Sequence, residues 1–301
     1  MSPARLFAFI LGGLLVSGCT TPIDVEPLEQ RIDAILAQEA EATVAVAVRV
    51  PNRGLVYDRN ADRVYHAAST MKIPVMIEVF RQADEGTFSL DDSLLVENRF
   101  RSIVDGSEYA IGDDSDDDIY QRLGGRMAIR DLVESMITVS SNLATNLLID
   151  FVGAEAVQQT SESLGTTKML TLRGVEDLKA FEQGLSNRTT ATDLAMLLTA
   201  LLQGDAVNQS ADMAMLDVLA RQRFNEMIPA GLPEGTRIAH KTGQITAIHH
   251  DAAAVLPETG DPYVLVILIE GLADDTESAA LGASVARTVH DFLRTNGVVG
   301  E

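Results

Sequence analysis

Hydrophobic positions along the chain change their period twice, and the change maps the elements. Residues 28–40 carry apolar side chains at helical spacing. Over 43–50 apolar and small residues alternate as in a strand, and 55–58 reads as its hairpin partner across Pro51-Asn52-Arg53-Gly54. From about residue 69 to 204 the period is helical, through Ile73, Ile77 and Phe80, then Ile129, Leu132, Val133, Met136 and Ile137, then Leu194, Leu197, Leu198 and Leu201. Gly86, Gly153 and Gly204 each stand just past an apolar run, where a left-handed cap is predicted. Strand-like stretches return at 237–241, 251–256 and 263–270, followed by a helix predicted over about 276–294. Strands at both ends with helices between them predict one sheet layer built from both termini and an inserted helical lobe. A cleft between two such lobes is a usual place for a small-molecule site.

The first eighteen residues break the pattern. Arg5 precedes an apolar stretch over 6–16, closed by Val16-Ser17-Gly18-Cys19. This reads as a targeting segment rather than fold, and it falls short of the ~20 residues that a membrane span needs. The four residues ending at Cys19 resemble the bacterial lipobox, whose cysteine becomes the lipidated first residue after cleavage. On that reading residues 1–18 are a lipoprotein signal peptide and 19–27 a tether. Thr20, standing where an aspartate favours inner-membrane retention, points to the periplasmic side of the outer membrane. An ordinary secretory signal releasing a soluble periplasmic protein, a retained anchor and a buried core cysteine are the other readings of the same stretch.

Composition narrows the function classes. Of 301 residues 46% are hydrophobic, and 44 acidic side chains against 23 basic ones give a formal net charge of −21. That apolar fraction builds a core despite the charge, which excludes general disorder. No clustered cationic face exists to meet phosphates, so nucleic acid is excluded as a partner. The single cysteine excludes an internal disulfide and a thiolate metal cage. The run Asp113-Asp114-Ser115-Asp116-Asp117-Asp118 lacks the glycine and distal glutamate of a calcium loop and reads as a solvated insertion. In His249-His250-Asp251 neighbouring side chains on a strand point to opposite faces, so a structural or cleft-lining role is expected. No metal and no cofactor are expected.

Three short constellations carry chemistry. Ser69-Thr70-Met71-Lys72 opens a predicted helix, where residues three apart share a face and the Lys72 amine is placed to reach the Ser69 hydroxyl. A serine attacks poorly until a neighbour takes its proton, and a lysine does this when burial or another cation keeps it neutral. An N-cap serine followed by a solvated lysine would look the same. Ser140-Ser141-Asn142 occupies a helix junction, where serine and asparagine are also ordinary N-caps. Lys241-Thr242-Gly243, preceded by His240, falls on a predicted strand, and its glycine allows a ligand close to the backbone. The chain has only four lysines, at 72, 168, 179 and 241, and two of them fall in these motifs. Basic charge elsewhere is arginine, which does not give up its proton.

Ser-x-x-Lys, Ser-x-Asn and Lys-Thr-Gly, in this order on a helix, a helix junction and a strand, resemble the penicillin-recognising serine hydrolases, and among them the class A β-lactamase family, over roughly residues 28–296. The resemblance implies an α/β plus all-α fold of the β-lactamase/transpeptidase kind. Its antiparallel five-stranded sheet, flanked by helices, would be built from 28–68 and 208–301, with an all-helical domain at 69–207. It implies a serine β-lactamase that acylates on Ser69, with Lys72 accepting or relaying the proton and Ser140 passing one to the leaving nitrogen. The backbone N–H groups of Ser69 and Gln244 would form the oxyanion hole. Lys241, Thr242 and Gly243 would hold the substrate carboxylate, and Asn142 would orient the substrate amide and Lys72. The water-activating base would be Glu176 in Arg173-Gly174-Val175-Glu176-Asp177.

The chain departs from the family pattern in that loop. Ala180 stands where an asparagine holds the water, Asn187 and Arg188 stand near where the aspartate partner of Arg173 belongs, and Ser141 replaces the middle aspartate of the second motif. These changes bear on deacylation more than on acylation. A penicillin-binding D,D-peptidase or esterase with slow deacylation, and a non-catalytic binder of cell-wall peptide, are therefore carried as alternatives. Tyr109 is expected to edge the cleft, and the chain is expected to act as a monomer.

Overall fold

The computed structural model describes residues 23–300. The signal segment and Cys19 lie outside the described residues. Helix α1 (Glu26–Leu36) begins inside the expected tether, because Pro27 is tolerated in a first helical turn, and it ends at Leu36, short of the predicted 40. Strands β1 (Thr43–Val50) and β2 (Leu55–Arg59) form the expected hairpin. The turn between them closes on Gly54 at φ +60°.

Three more strands come from the other end of the chain: β3 (Arg237–Ile245), β4 (Ile248–Leu256) and β5 (Tyr263–Glu270). The five join in the order β2-β1-β5-β4-β3, and every pairing is antiparallel. Both chain ends therefore meet in one sheet, along the β1–β5 ladder that sets Val46 opposite Ile267. The strands run further than their apolar pattern suggests, since 242–250 is held by ladder hydrogen bonds to neighbouring strands and not by hydrophobic side chains.

The sheet is buried on both faces, which explains the near-continuous apolar runs of β1, β4 and β5. Val44, Val46, Val48, Leu265, Ile267 and Ile269 face one core with Leu28 and Ile32 of α1 and Val285, Val289 and Phe292 of helix α8 (Asp275–Thr295). The alternate residues Ala45, Ala47, Ala252, Ala254, Val264 and Val266 face a second core. Their small size lets helices of the middle segment approach closely. That segment supplies α2 (Lys72–Asp84), α3 (Ile129–Thr138), α4 (Asn142–Val152), α5 (Ala154–Ser163), α6 (Ala191–Gln203) and α7 (Gln209–Leu219). Residues Ile73 to Phe80 of α2 are all buried, so this helix is the axis of the lobe.

The middle segment is not helical throughout. Three short antiparallel pairs interrupt it: Tyr65–His66 with Arg188–Thr189, Ser93–Leu95 with Arg126–Ala128, and Phe100–Arg101 with Glu108–Tyr109. Strands of two or three residues are too short to leave a period in the sequence. Of the glycine caps, Gly204 takes the left-handed conformation at φ +77° and ψ +22°, whereas Gly153, at φ +88° and ψ +127°, leaves that region and passes the chain directly from α4 into α5.

Candidate active site

Ser69 lies in a tight 3₁₀ turn (Ala68–Met71) that feeds α2. Pro74 falls in the first turn of α2, where backbone N–H groups have no intrahelical acceptor and its missing N–H costs nothing. The residue before the serine is strained: Ala68 has φ +45°. Two contacts hold it there. The Ala68 N–H donates to His66 Nδ1 at 3.0 Å, and the Ala67 N–H donates to the Asn187 carbonyl at 3.0 Å.

Strand β3 runs beside this turn. A Cβ on Gly243 would come within 2.9 Å of the Ser69 nitrogen and 3.0 Å of the Thr70 nitrogen. The glycine thus makes room for the chain's own backbone, not only for a ligand. Because β3 is the edge strand, the Lys-Thr-Gly segment and Gln244 are presented to the turn and to the open cleft.

The two motif lysines are fully buried, and both reach Ser140. Lys72 Nζ donates to the Ser140 carbonyl at 2.6 Å, to Ser140 Oγ at 3.1 Å and to Asn142 Oδ1 at 3.0 Å. Lys241 Nζ donates to Ser140 Oγ at 3.1 Å and to the Thr242 carbonyl at 2.8 Å. The direct Ser69–Lys72 hydrogen bond expected from helical spacing is absent among the described residues, because the Lys72 amine is turned toward these oxygens of Ser140 and Asn142. Burial first, and Lys241 second, hold the Lys72 amine well below its ordinary range, opposed by Asp114 and Glu176. Burial lowers Lys241 to about 7, opposed by Asp251. Two ammonium groups around one hydroxyl in a dry site repel each other, so the arrangement favours a neutral amine.

Ser140, at φ +59°, turns the chain so that its carbonyl and hydroxyl both face Lys72. Ser141 is the N-cap of α4, accepting from the Ala144 N–H at 3.2 Å. The capping reading of this motif therefore holds at Ser141, while the neighbouring Ser140 places its hydroxyl between the two amines.

Glu176 comes from the loop that begins at Arg173, and it points into the site. Its Oε1 accepts from Asn142 Nδ2 at 3.1 Å and its Oε2 from the Gly112 N–H at 2.9 Å. Its own φ is +60°. The loop is anchored with no ion pair to Arg173 among the described residues: the Asn187 carboxamide accepts from the Leu172 N–H and donates to the Arg173 carbonyl, both at 2.8 Å. Buried Arg173 donates to the Leu185 carbonyl at 2.9 Å and the Gly174 carbonyl at 2.8 Å. Ala180 packs fully buried in the short helix Leu178–Glu182.

The cleft has a volume of about 810 Å³ and is lined by Ser69, Ser140, Asn142, Thr242 and Gln244 among others. Ser69, Ser140 and Asn142 thus meet at one cavity, with the two buried amines behind Ser140 and the Glu176 carboxylate behind Asn142. A family model described as the β-lactamase enzyme family matches residues 27–293. The chain belongs to that family. A β-lactamase from Rhodobacter capsulatus is 26% identical over 263 residues, covering 86% of this chain and 85% of that protein. The solved β-lactamase from Sphaerobacter thermophilus superposes with a TM-score of 0.78 at 28% identity, covering 92% of this chain and 98% of that one. A mutant of PBP-A, solved as an acyl-enzyme complex with penicillin G, superposes with a TM-score of 0.79 at 27% identity, covering 92% and 99%.

Three residues of this β-lactamase-family site were not singled out from sequence. Asp114, inside the supposed solvated insertion, docks onto the start of α4: Oδ1 accepts from the Asn142 N–H at 2.9 Å and Oδ2 from the Leu143 N–H at 2.8 Å. Asn146, one helical turn beyond Asn142, holds the loop by accepting from the Val175 N–H at 2.6 Å and donating to the Val175 carbonyl at 3.0 Å. An asparagine repeated at i and i+4 on a mostly apolar helix was the available signal. His66 is the third. Tyr109 does not line the cleft; its hydroxyl donates to the Val175 carbonyl at 3.3 Å and so supports the loop instead. His250 is buried and donates from Nε2 to the His66 carbonyl at 3.0 Å, while His249 lines the cleft on the opposite face.

Proposed function

We propose that this β-lactamase works as a serine hydrolase through a covalent intermediate on Ser69. The observation that carries the reading is the convergence of Lys72 and Lys241 on Ser140 Oγ beside a serine whose hydroxyl has no hydrogen-bond partner among the described residues. Neutral Lys72 takes the Ser69 proton as Oγ attacks the lactam carbonyl. The backbone N–H groups of Ser69 and Gln244 receive the developing oxyanion. Ser140, held between the two amines, delivers a proton to the lactam nitrogen as the C–N bond breaks, and Lys72 restores it. Lys241 and Thr242 take the substrate carboxylate, with Gly243 keeping β3 against the nucleophile. Asn142 meets the substrate amide. Glu176 then draws a proton from a water, which attacks the ester and frees Ser69.

All these groups come from one chain, so a monomer suffices. Cys19, at the end of an apolar stretch, supports a lipid anchor and a location on the periplasmic side of the outer membrane. Lactam opening followed by absorbance tests the chemistry. Wild type is expected to turn over a chromogenic cephalosporin, and Ser69→Ala and Lys72→Ala to lose about 10³-fold or more of that rate. Turnover retained by Ser69→Ala would overturn the assignment.

A further inference from the structure

The cleft wall beyond Thr242 is built differently from the rest of the site. Gln244 and His249 are partners across β3 and β4, so both side chains stand on the face that carries Thr242. The recess continues to Glu226 and Ala230 and to the first turns of α8, which contribute Asp275 and three alanines whose small side chains leave it open. No lysine or arginine lines it among the described residues; Lys72 and Lys241 sit behind, engaged with Ser140.

His249 is only 8% exposed, yet half of its ring chemistry is unused. Its Nδ1 lies 2.8 Å from Ser278 Oγ, and that hydroxyl lies 3.2 Å from the Asp275 carbonyl. A serine has one hydrogen to give. Given to the carbonyl, it makes Oγ the acceptor of the Nδ1 proton, and the neutral ring then carries its lone pair on Nε2. Nε2 has no partner among the described residues and is not sealed from solvent, in a side chain that lines the recess. Burial acts most strongly on this ring, opposed by the charges of Asp251, Asp275 and Glu226; of these, Asp275 and Glu226 line the recess, and neither forms an ion pair among the described residues. An acceptor nitrogen and two free carboxylates around one open recess make a surface for positive charge.

We propose that this recess is a cation-accepting subsite, in which Glu226, Asp275 and His249 Nε2 receive a positively charged substituent on the carboxylate-bearing ring of a β-lactam. The inference rests on the acyl-transfer reading above for the pose: carbonyl oxygen between Ser69 and Gln244, carboxylate at Thr242. The second ring then faces His249, while the acylamino group is taken by Asn142, whose amide holds Glu176 outside the recess. An acidic recess of this kind favours zwitterionic lactams over those carrying the carboxylate alone.

Calorimetric binding to the Ser69→Ala protein tests it without requiring turnover. Two cephalosporins with the same acylamino side chain are compared, one with a pyridiniomethyl and one with an acetoxymethyl group on the six-membered ring. Exposed carboxylates act weakly one at a time, so a preference of about three- to tenfold for the cationic compound is expected, shrinking as salt is raised. Adding Glu226→Gln and Asp275→Asn should bring the ratio of dissociation constants to near one. A ratio unchanged by these two substitutions, or no binding of either compound, would overturn the proposal. A wild-type protein that binds with this preference but opens no lactam contradicts the hydrolase reading and supports the subsite.

Discussion

Lys72 and Lys241 meet at a single oxygen: each amine lies 3.1 Å from Ser140 Oγ, and neither is exposed to solvent. The arrangement is costly to the fold, because burial withdraws both amines from water. In the proposed mechanism it serves catalysis for the same reason, because a lysine that sheds its proton near neutral pH can accept one from a serine.

That cost should appear as a pH dependence of stability. Lys241 titrates at about 7 in the folded chain against an ordinary value of 10.5. Between these values the unfolded state binds the extra proton, so stability rises with pH, by at most about 1.4 kcal/mol per pH unit for each such group. The penalty is complete below 7 and relieved toward 10.5. Above about 10 the ordinary ionisation of tyrosine in the unfolded state works the other way, since Tyr57, Tyr65 and Tyr109 are pushed up to about 12 by burial. Melting temperatures from pH 7 to 9.5 should therefore climb, and climb less steeply in Lys241→Met. An identical slope in the two proteins would count against a buried, low-pKa Lys241.

Asp114 accepts two backbone N–H groups at the start of α4. Asp114→Ala should cost about 1–2 kcal/mol in denaturant unfolding and slow turnover by loosening Ser140 and Asn142. Asp118→Ala, at an exposed position of the same acidic run, should stay within about 0.5 kcal/mol. Equal effects would mean that Asp114 is only another solvated carboxylate.

His66 maintains the strained residue before the nucleophile by accepting the Ala68 N–H. His66→Ala should lower the acylation rate about tenfold through misplacement of Ser69, with the fold retained. Pre-steady-state kinetics separate this from a change in substrate affinity, and an unaltered acylation rate would remove His66 from the positioning of Ser69.

Gly243→Ala would drive a methyl group to 2.9 Å from the Ser69 nitrogen. A loss of about 1–3 kcal/mol is expected from this overpacking, with a disproportionate fall in kcat/KM because β3 must move off the nucleophile. Full activity in this variant would show that the strand and the turn are not in register as described.

Much of this was legible because the chemistry sits in short contiguous strings. Ser69 to Lys72, Ser140 to Asn142 and Lys241 to Gly243 each keep their members within four residues, and three of the five strands, β1, β4 and β5, announce themselves by apolar runs buried on two faces. What sequence misses are relationships carried by long-range contact. Asp114 reads as solvent-exposed until the fold brings it 28 residues forward onto α4. His66 matters through the lone pair it offers to a backbone in a rare conformation, which no residue pattern encodes. Lys72 was expected to bond Ser69 because helical spacing governs neighbours; it bonds Ser140 and Asn142 because the buried amine needs more acceptors than one hydroxyl supplies.

Ser69 as the acylated residue is tested most directly by intact-mass and peptide mapping of Glu176→Gln after mixing with penicillin G. With the water-activating carboxylate neutralised, hydrolysis of the ester should slow by about 10²–10⁴-fold while acylation continues. The expected result is stoichiometric addition of one penicillin, on the peptide that contains Ser69, persisting long after the wild-type adduct has decayed. No adduct, or an adduct mapped to any other residue, would contradict the account.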